Sequence, residues 1–467
     1  MKLSLLYLNV QNIFVDLMFK NRSSYRSIPS AIEKIALFYY TYRMKNSFAN
    51  EATTVLNHKW NSAIKREIPI YTRDNSIRSD FDRDYTRLLH CQAYSRLKHK
   101  TQVFYSPHND HVCTRMEHVL HVASVAGTIA KYLGLNQELT QAIAIGHDIG
   151  HAPFGHTGED ILNSLMEKRP GANAPKKFWH ERNSLFFADY IETLNDPNGT
   201  EKTLNLTYAV RDGLICHCGE IDQQGIKPRE NTMNLYDIKV PGVVQPFTWE
   251  GCVVKVSDKI AFLGRDLQDA RAYHILDMGC YRQLREIVAS TLGLTKNGET
   301  ISHSSGKAVN TTVLINDMVV DLCEQSLPEM GLCFSEQYFK FIKELKKFSY
   351  EKVYTHWRLL EFKSYAKNVL KTIFTVLMET QNFAKNGRLP FALRNFPRLC
   401  STFEDWLIRY SNYIPTGSSK NKTSLNYQTP SVFDVNDFES YEKCVIEYIS
   451  GMTDNFAIAC YEEIITF

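Results

Sequence analysis

Histidines and carboxylates crowd into two short stretches of this chain, Arg115-Met-Glu-His118 and His147-Asp148-Ile-Gly-His151-Ala-Pro-Phe-Gly-His156-Thr-Gly-Glu159, otherwise written in small and apolar residues. Imidazole and carboxylate together suit a divalent ion and leave positions open for water or substrate. His147 and Asp148 are adjacent, so on a helix their side chains diverge by about 100°. They can share one ion only if it lies over the groove between them, with His118 and one further ligand closing the shell. A single histidine on an apolar helix face is usually a satisfied core residue, and a lone His-Asp pair is common by chance. Three further acid–base groups, His151, His156 and Glu159, within twelve residues of His147 change that reading. Interrupted by Gly150, Pro153, Gly155 and Gly158, they would make a costly core unless paired or used.

The elements that must position these groups read as helices. His118 stands in a run (Val119, Leu120, Val122, Ala123, Val125, Ala126, Ile129, Ala130) with the rhythm of a buried helix, and Ala142-Ile-Ala-Ile-Gly146 begins to do the same before His147. Val253–Asp269 returns to that periodicity. Asp258 sits there among Val254, Ile260 and Ala261, where a carboxylate needs a partner, and the incomplete metal shell supplies one. His156 and Glu159, three residues apart, share a face if a helix begins near Thr157. A carboxylate so placed can fix one imidazole tautomer and raise its pKa.

His118, the His147-Asp148 doublet and the later Asp258 resemble the H…HD…D signature of the HD superfamily of metal-dependent phosphohydrolases. The longer string HDIGHAPFGHTGE is more specific and is similar to the deoxynucleoside-triphosphate triphosphohydrolases, the dGTPase-like branch. The resemblance spans residues 58–467. It implies an all-α fold, an HD helical core with a C-terminal helical extension, and a divalent cofactor (Mn, Mg, Fe or Zn) held by His118, His147, Asp148 and Asp258. It implies hydrolysis of 2′-deoxynucleoside triphosphates to deoxynucleoside and tripolyphosphate. Arg115, Lys259, His151 and His180, the last in the F-x-H-E-x-x-S segment Phe178–Ser184, would offset triphosphate charge. Gln102 and Asp266 would meet the deoxyribose, and His156, steered by Glu159, would handle a proton. Many relatives carry tyrosine where this chain has Phe262, which removes one possible phosphate contact.

Physically, Arg78–His90 is an amphipathic basic helix leading to a short extended piece around Gln102; a plain surface helix is the alternative. Further helices are predicted over 308–326, 336–347, 350–386 and 434–465, with loops at 168–177 and 417–424 and turn chemistry at Asn109-Asp110. Strands are few and short. Lys352–His356 and Tyr448–Ala457 also look like landmarks of the family. The expected organisation is an N-terminal extension over 1–57, an HD core over 58–290 and a C-terminal helical region over 291–467.

The 467 residues give ample core, and the net charge of +3 does not announce a nucleic-acid binder. Eleven scattered cysteines form no framework, and no secretory signal or spanning apolar run is evident, so cytoplasm is the expected compartment and a membrane is not. Cys216-His217-Cys218 lacks the repeated CxxC pairs of a structural zinc site. The resemblance leans toward a homo-oligomer; activation by a second, allosteric nucleotide leaves no signal. The rival functions are another HD phosphohydrolase, acting on nucleoside monophosphates, cyclic nucleotides or alarmones, and a regulator that binds nucleotides or single-stranded DNA.

Overall fold

A computed structural model describes residues 45–69, 77–105, 112–166, 177–219, 222–292, 311–417 and 429–466. The Asn109-Asp110 turn, nearly all of the 168–177 and 417–424 loops and residues 1–44 of the extension lie outside the described residues.

The fold is all-α. Its centre is built from α1 (Asp80–His90), α2 (Arg115–Leu133), α3 (Gln137–Gly146), α4 (Gly155–Met166), α5 (His180–Phe186), α6 (Tyr208–Cys216) and α7 (Trp249–Ala272). Helix α2 starts at a reciprocal cap: Thr114 Oγ1 accepts from Glu117 N, and the Glu117 carboxylate accepts from Thr114 N at 2.7 Å. It ends at Gly134, whose φ of 82° is the left-handed stop that glycine adopts freely. Between them Arg115, His118, Val119, Val122, Ala126, Ile129, Ala130 and Leu133 form the buried stripe, so the helical rhythm carries a cation and an imidazole inward with the apolar residues. Helices α3 and α7 pack on that stripe.

After α1 the chain does not extend at once. It turns at Cys91 into a short helix, Gln92–Arg96, and a tight turn, Leu97–His99, before the extended piece pairs at Thr101↔Thr114. Among the described residues the one sheet is a hairpin, β1 (Thr193–Asn195) against β2 (Glu201–Thr203), with Thr193 opposite Thr203.

The longer helices that follow are α8 (Met278–Leu292), α9 (Thr311–Gln325), α10 (Glu336–Ser349), α11 (Trp357–Glu379), α12 (Pro397–Tyr410), α13 (Phe438–Ser450) and α14 (Asp454–Ile465). The single helix expected over 350–386 is broken at Thr355-His356, where His356 caps α11, and again at Thr380. The one expected over 434–465 is broken at Gly451–Thr453, with Thr453 capping α14. Helices α8 and α12 were not anticipated. Buried apolar side chains from α2, α7, α11, α13 and α14 belong to one continuous cluster, to which Phe48 also contributes. Thr53, from the 1–57 stretch, donates to the buried Glu250 carboxylate through N at 2.9 Å and Oγ1 at 2.7 Å.

Candidate active site

Three helices converge on the metal-type donors. His118 projects from the first turn of α2, His147 caps the C-terminus of α3 with Asp148 next to it, and Asp258 lies midway along α7. His118 Nε2 is 3.0 Å from Asp258 Oδ1, and His147 Nε2 is 3.7 Å from Asp148 Oδ1. Three of the four expected ligands, His118, His147 and Asp258, form a triad with donor atoms within 4.8 Å of one another, while the fourth, Asp148, groups with His147 and with His217, a residue outside the expected set. His147 Nδ1 is 2.6 Å from Ala144 O, which leaves Nε2 buried without a hydrogen-bond partner. An orphaned imidazole nitrogen facing a carboxylate at this distance fits a divalent ion, and so does the imidazole–carboxylate donor set.

The charges are arranged to keep the carboxylates ionised. Burial alone would raise Asp258, but the hydrogen bond and charge of His118, with His147 and His217 behind it, bring it to about 2. Burial also opposes ionisation of Asp148, and Arg115 with three histidines overrides it, holding this carboxyl well below the usual range. Arg115 Nη1 donates to Asp148 Oδ2 at 2.6 Å. Its Nε and Nη2 are buried without partners.

Next to this shell stands a row of imidazoles. His151, fully buried with neither ring nitrogen partnered, stacks on His180 with centroids 4.3 Å apart. His180 Nδ1 is 2.9 Å from Glu159 Oε2, and its Nε2 is 3.8 Å from Asp148 Oδ1. His156 Nδ1 is 3.6 Å from the same Glu159 oxygen, because α4 begins at Gly155 and places both on its first turns. Burial, then the nearby Arg115, pushes His151 well below the ordinary imidazole value. The tight approach of the α5 backbone depends on Gly150, where a Cβ would overlap Asn183 and Ser184.

Residues 115–263 match the HD domain family and 332–393 the phosphohydrolase-associated domain. A deoxyguanosinetriphosphate triphosphohydrolase-like protein of Caldanaerobacter subterraneus subsp. tengcongensis is 31% identical over 83% of this chain and 85% of its own length. The chain belongs to the dGTPase-like HD phosphohydrolase family. Relatives of the same description from Clostridium tetani, at 33% identity over 67% of this chain and 77% of theirs, and from Rickettsia bellii, at 28% over 85% and 94%, are further members.

The other expected site residues of this HD phosphohydrolase fall as follows. Gln102 is buried beside the Thr101–Thr114 bridge with Oε1 unpartnered. Asp266, on α7 two turns beyond Asp258, accepts from Tyr354 Oη at 2.5 Å, and burial raises its carboxyl to about 6. Lys259 lies 3.1 Å from Asp222, a carboxylate that also draws Lys346 at 3.5 Å, so its charge is already shared within the protein. Phe262 packs against the core.

Sequence reasoning missed His217 and Glu181. His217 caps α6 as His147 caps α3, with Nδ1 2.7 Å from Leu214 O, three residues back, and a buried, unpartnered Nε2. Its ring lies 4.9 Å from that of His147, and burial followed by its imidazole neighbours lowers it to about 3. Glu181 Oε2 is 3.5 Å from His180 Nδ1. Among the described residues no cysteine joins a metal-type cluster. No helix among them is long and apolar enough to cross a membrane.

Proposed function

We propose that the protein hydrolyses 2′-deoxynucleoside triphosphates to the deoxynucleoside and tripolyphosphate, with a divalent cofactor drawn from Mn, Mg, Fe or Zn. The observation that carries this reading is a set of buried polar atoms beside the metal donors that have no protein partner: Arg115 Nε and Nη2, both ring nitrogens of His151, and Gln102 Oε1. Buried donors left unmade are costly, and a bound polyanion with a hydroxylated sugar would satisfy donors and acceptor together. The names of the relatives, which carry dGTP triphosphohydrolysis in their description, support the same substrate class.

His118, His147, Asp148 and Asp258 would hold the divalent ion. When bound, it supplies Lewis acidity toward phosphate and lowers the pKa of water. Arg115 clamps Asp148 with one nitrogen and offers two to phosphate oxygens. His180, held cationic by its carboxylate neighbours, offsets triphosphate charge with Lys259, and His151, kept neutral by burial and Arg115, offers a hydrogen bond to it. Gln102 and Asp266 bind the deoxyribose. Water attacks the α-phosphorus, and His156, oriented by Glu159, delivers the proton that the departing 5′-oxygen requires.

The test is incubation of purified protein with each dNTP and Mn or Mg, resolving products by ion-exchange chromatography. Deoxynucleoside plus tripolyphosphate is the expected outcome. Pyrophosphate release, or turnover confined to nucleoside monophosphates, cyclic nucleotides or alarmones, overturns the proposal.

A further inference from the structure

Asp454 opens α14 near the end of the chain, yet its carboxylate binds two loops of the site from sequence separations of 300 and 353 residues. One oxygen, Oδ2, accepts from Thr101 N at 2.8 Å and Thr101 Oγ1 at 2.5 Å; the other, Oδ1, accepts from Phe154 N at 2.8 Å. Thr101 immediately precedes Gln102, and Phe154 stands two residues before His156. Phe154 and Gly155 both hold positive φ, 63° and 62°, a backbone that phenylalanine keeps only under external constraint. Gly155 lies against Gln102 O and Arg115 Nη2, each 3.0 Å from where its Cβ would stand.

Buried Lys100 adds a second tie. Its ammonium donates to His151 O and, at 2.8 Å, to Ser450 O at the end of α13. Arg115 N in turn donates to Lys100 O at 3.1 Å. Gln102, Arg115, His151 and His156 are thus registered against the α13–α14 corner, Ser450–Asp454. The metal donors come from α2, which Arg115 opens and which carries His118, from the end of α3, and from α7, and none of them bonds to that corner directly.

We propose that Asp454 is a positioning residue for the substrate side of the site. Its carboxylate sets the Gln102 segment in register with the Phe154–His156 turn, so that sugar-binding and proton-handling groups meet the same nucleotide. The functional half of this inference rests on the roles proposed above for Gln102 and His156; the geometric half does not. A carboxylate accepts from both backbone N–H groups at once, whereas an amide of the same shape offers one acceptor oxygen and turns an NH2 toward the other.

Asp454→Asn tests it in the full-length protein, with metal content, native-state hydrogen exchange and steady-state kinetics as readouts. The expected variant keeps its full metal complement and unchanged exchange in α2 and α7, while the Thr101 and Phe154 amides exchange at least tenfold faster. Its kcat/KM for dGTP falls on the order of 10²-fold, as a misplacement of about 1 Å produces, and its preference for dGTP over GTP shrinks. Thr101→Val, which deletes only the hydroxyl bond, moves kcat/KM and preference the same way by less. Unchanged exchange at Thr101 and Phe154, or metal lost in step with activity and stability, overturns the proposal. Should the unaltered protein hydrolyse no dNTP, the proposed function fails, and hydrogen exchange still decides whether Asp454 sets the two loops.

Discussion

His180 Nδ1 lies 2.9 Å from Glu159 Oε2, closer than His156 Nδ1 at 3.6 Å, so one carboxylate serves two imidazoles and the buried one holds it more tightly. Burial opposes charge on His180, but Glu181, Glu159 and Asp148 together raise it to about 10. With a folded value above the ordinary 6.5, the stabilised cation is fully present below pH 6.5 and is lost as pH rises through about 10. Glu159→Gln removes one of the raising charges. The alkaline limb of kcat/KM should therefore move to lower pH in that variant, measured in a pH–rate profile. An alkaline limb that stays in place would show that Glu159 does not hold the His180 charge.

The metal shell makes a second prediction, in which the two aspartates behave differently. Asp148→Ala and Asp258→Ala should each abolish tight metal binding and hydrolysis, because each removes an anionic ligand. Asp148→Ala also strands the buried Arg115 guanidinium, and breaking a buried pair from one side costs about 3–5 kcal/mol. It should consequently melt lower than Asp258→Ala. His217→Ala should weaken metal affinity about 10–100-fold, the effect of losing a group that supports the ligands. Plasma mass spectrometry and thermal melts check all three; a His217 variant with unchanged metal affinity would detach that residue from the shell.

The helices that carry this arrangement are legible in the sequence. The apolar rhythm around His118 and Asp258 is strong enough to place α2 and α7, and glycine punctuation from Gly150 to Gly158 marks the turn between α3 and α4. What stayed hidden depends on tertiary partners. His217, alone among Leu214, Ile215 and two cysteines, looks like a core histidine until α6 is laid against α3. The breaks at Thr355-His356 and Gly451–Thr453 carry no proline; they are made by side-chain caps inside continuous periodic stretches. Helix α12 begins at Pro397 after Phe396, a dipeptide that reads equally well as a loop. Arg115 and Lys259 were legible as cations, but their carboxylate partners Asp148 and Asp222 lie on other elements.

Sugar selection gives a third prediction. Gln102 and Asp266 are proposed to hold the 3′-hydroxyl in a pocket too close for a 2′-hydroxyl, so GTP should be a poor substrate beside dGTP. Tyr354 Oη donates to Asp266, and that bond opposes the burial which raises the carboxyl to about 6. Because the folded value is raised, ionising Asp266 destabilises the fold, and stability from this group is lost as pH rises from about 4 through about 6. Tyr354→Phe should raise the carboxyl further and increase KM for dGTP, read from KM against pH. Equal turnover of GTP and dGTP by the unaltered protein would remove the sugar pocket from these residues.

The last prediction concerns the proton. A deoxynucleoside leaves poorly as an alkoxide, so a positioned imidazolium at its 5′-oxygen should contribute on the order of 10²–10⁴-fold to the rate. His156 has the reach for this: its side chain is 53% exposed, at the start of α4, with Glu159 one turn away. The same exposure separates a chemical role from a structural one, since truncating a half-exposed side chain typically changes stability by no more than about 0.5 kcal/mol. His156→Ala should therefore lower kcat by that factor with metal content and melting temperature nearly unchanged. Glu159→Gln should lower kcat less, because it disturbs the orientation of His156 and not its presence. A nucleotide p-nitrophenyl ester, whose leaving group needs no proton, should restore much of the lost rate in His156→Ala. Equal impairment on the activated ester and on dGTP would mean that His156 does not protonate the leaving group, and a lowered melting temperature would place it in the support of the Pro153–Gly158 turn instead.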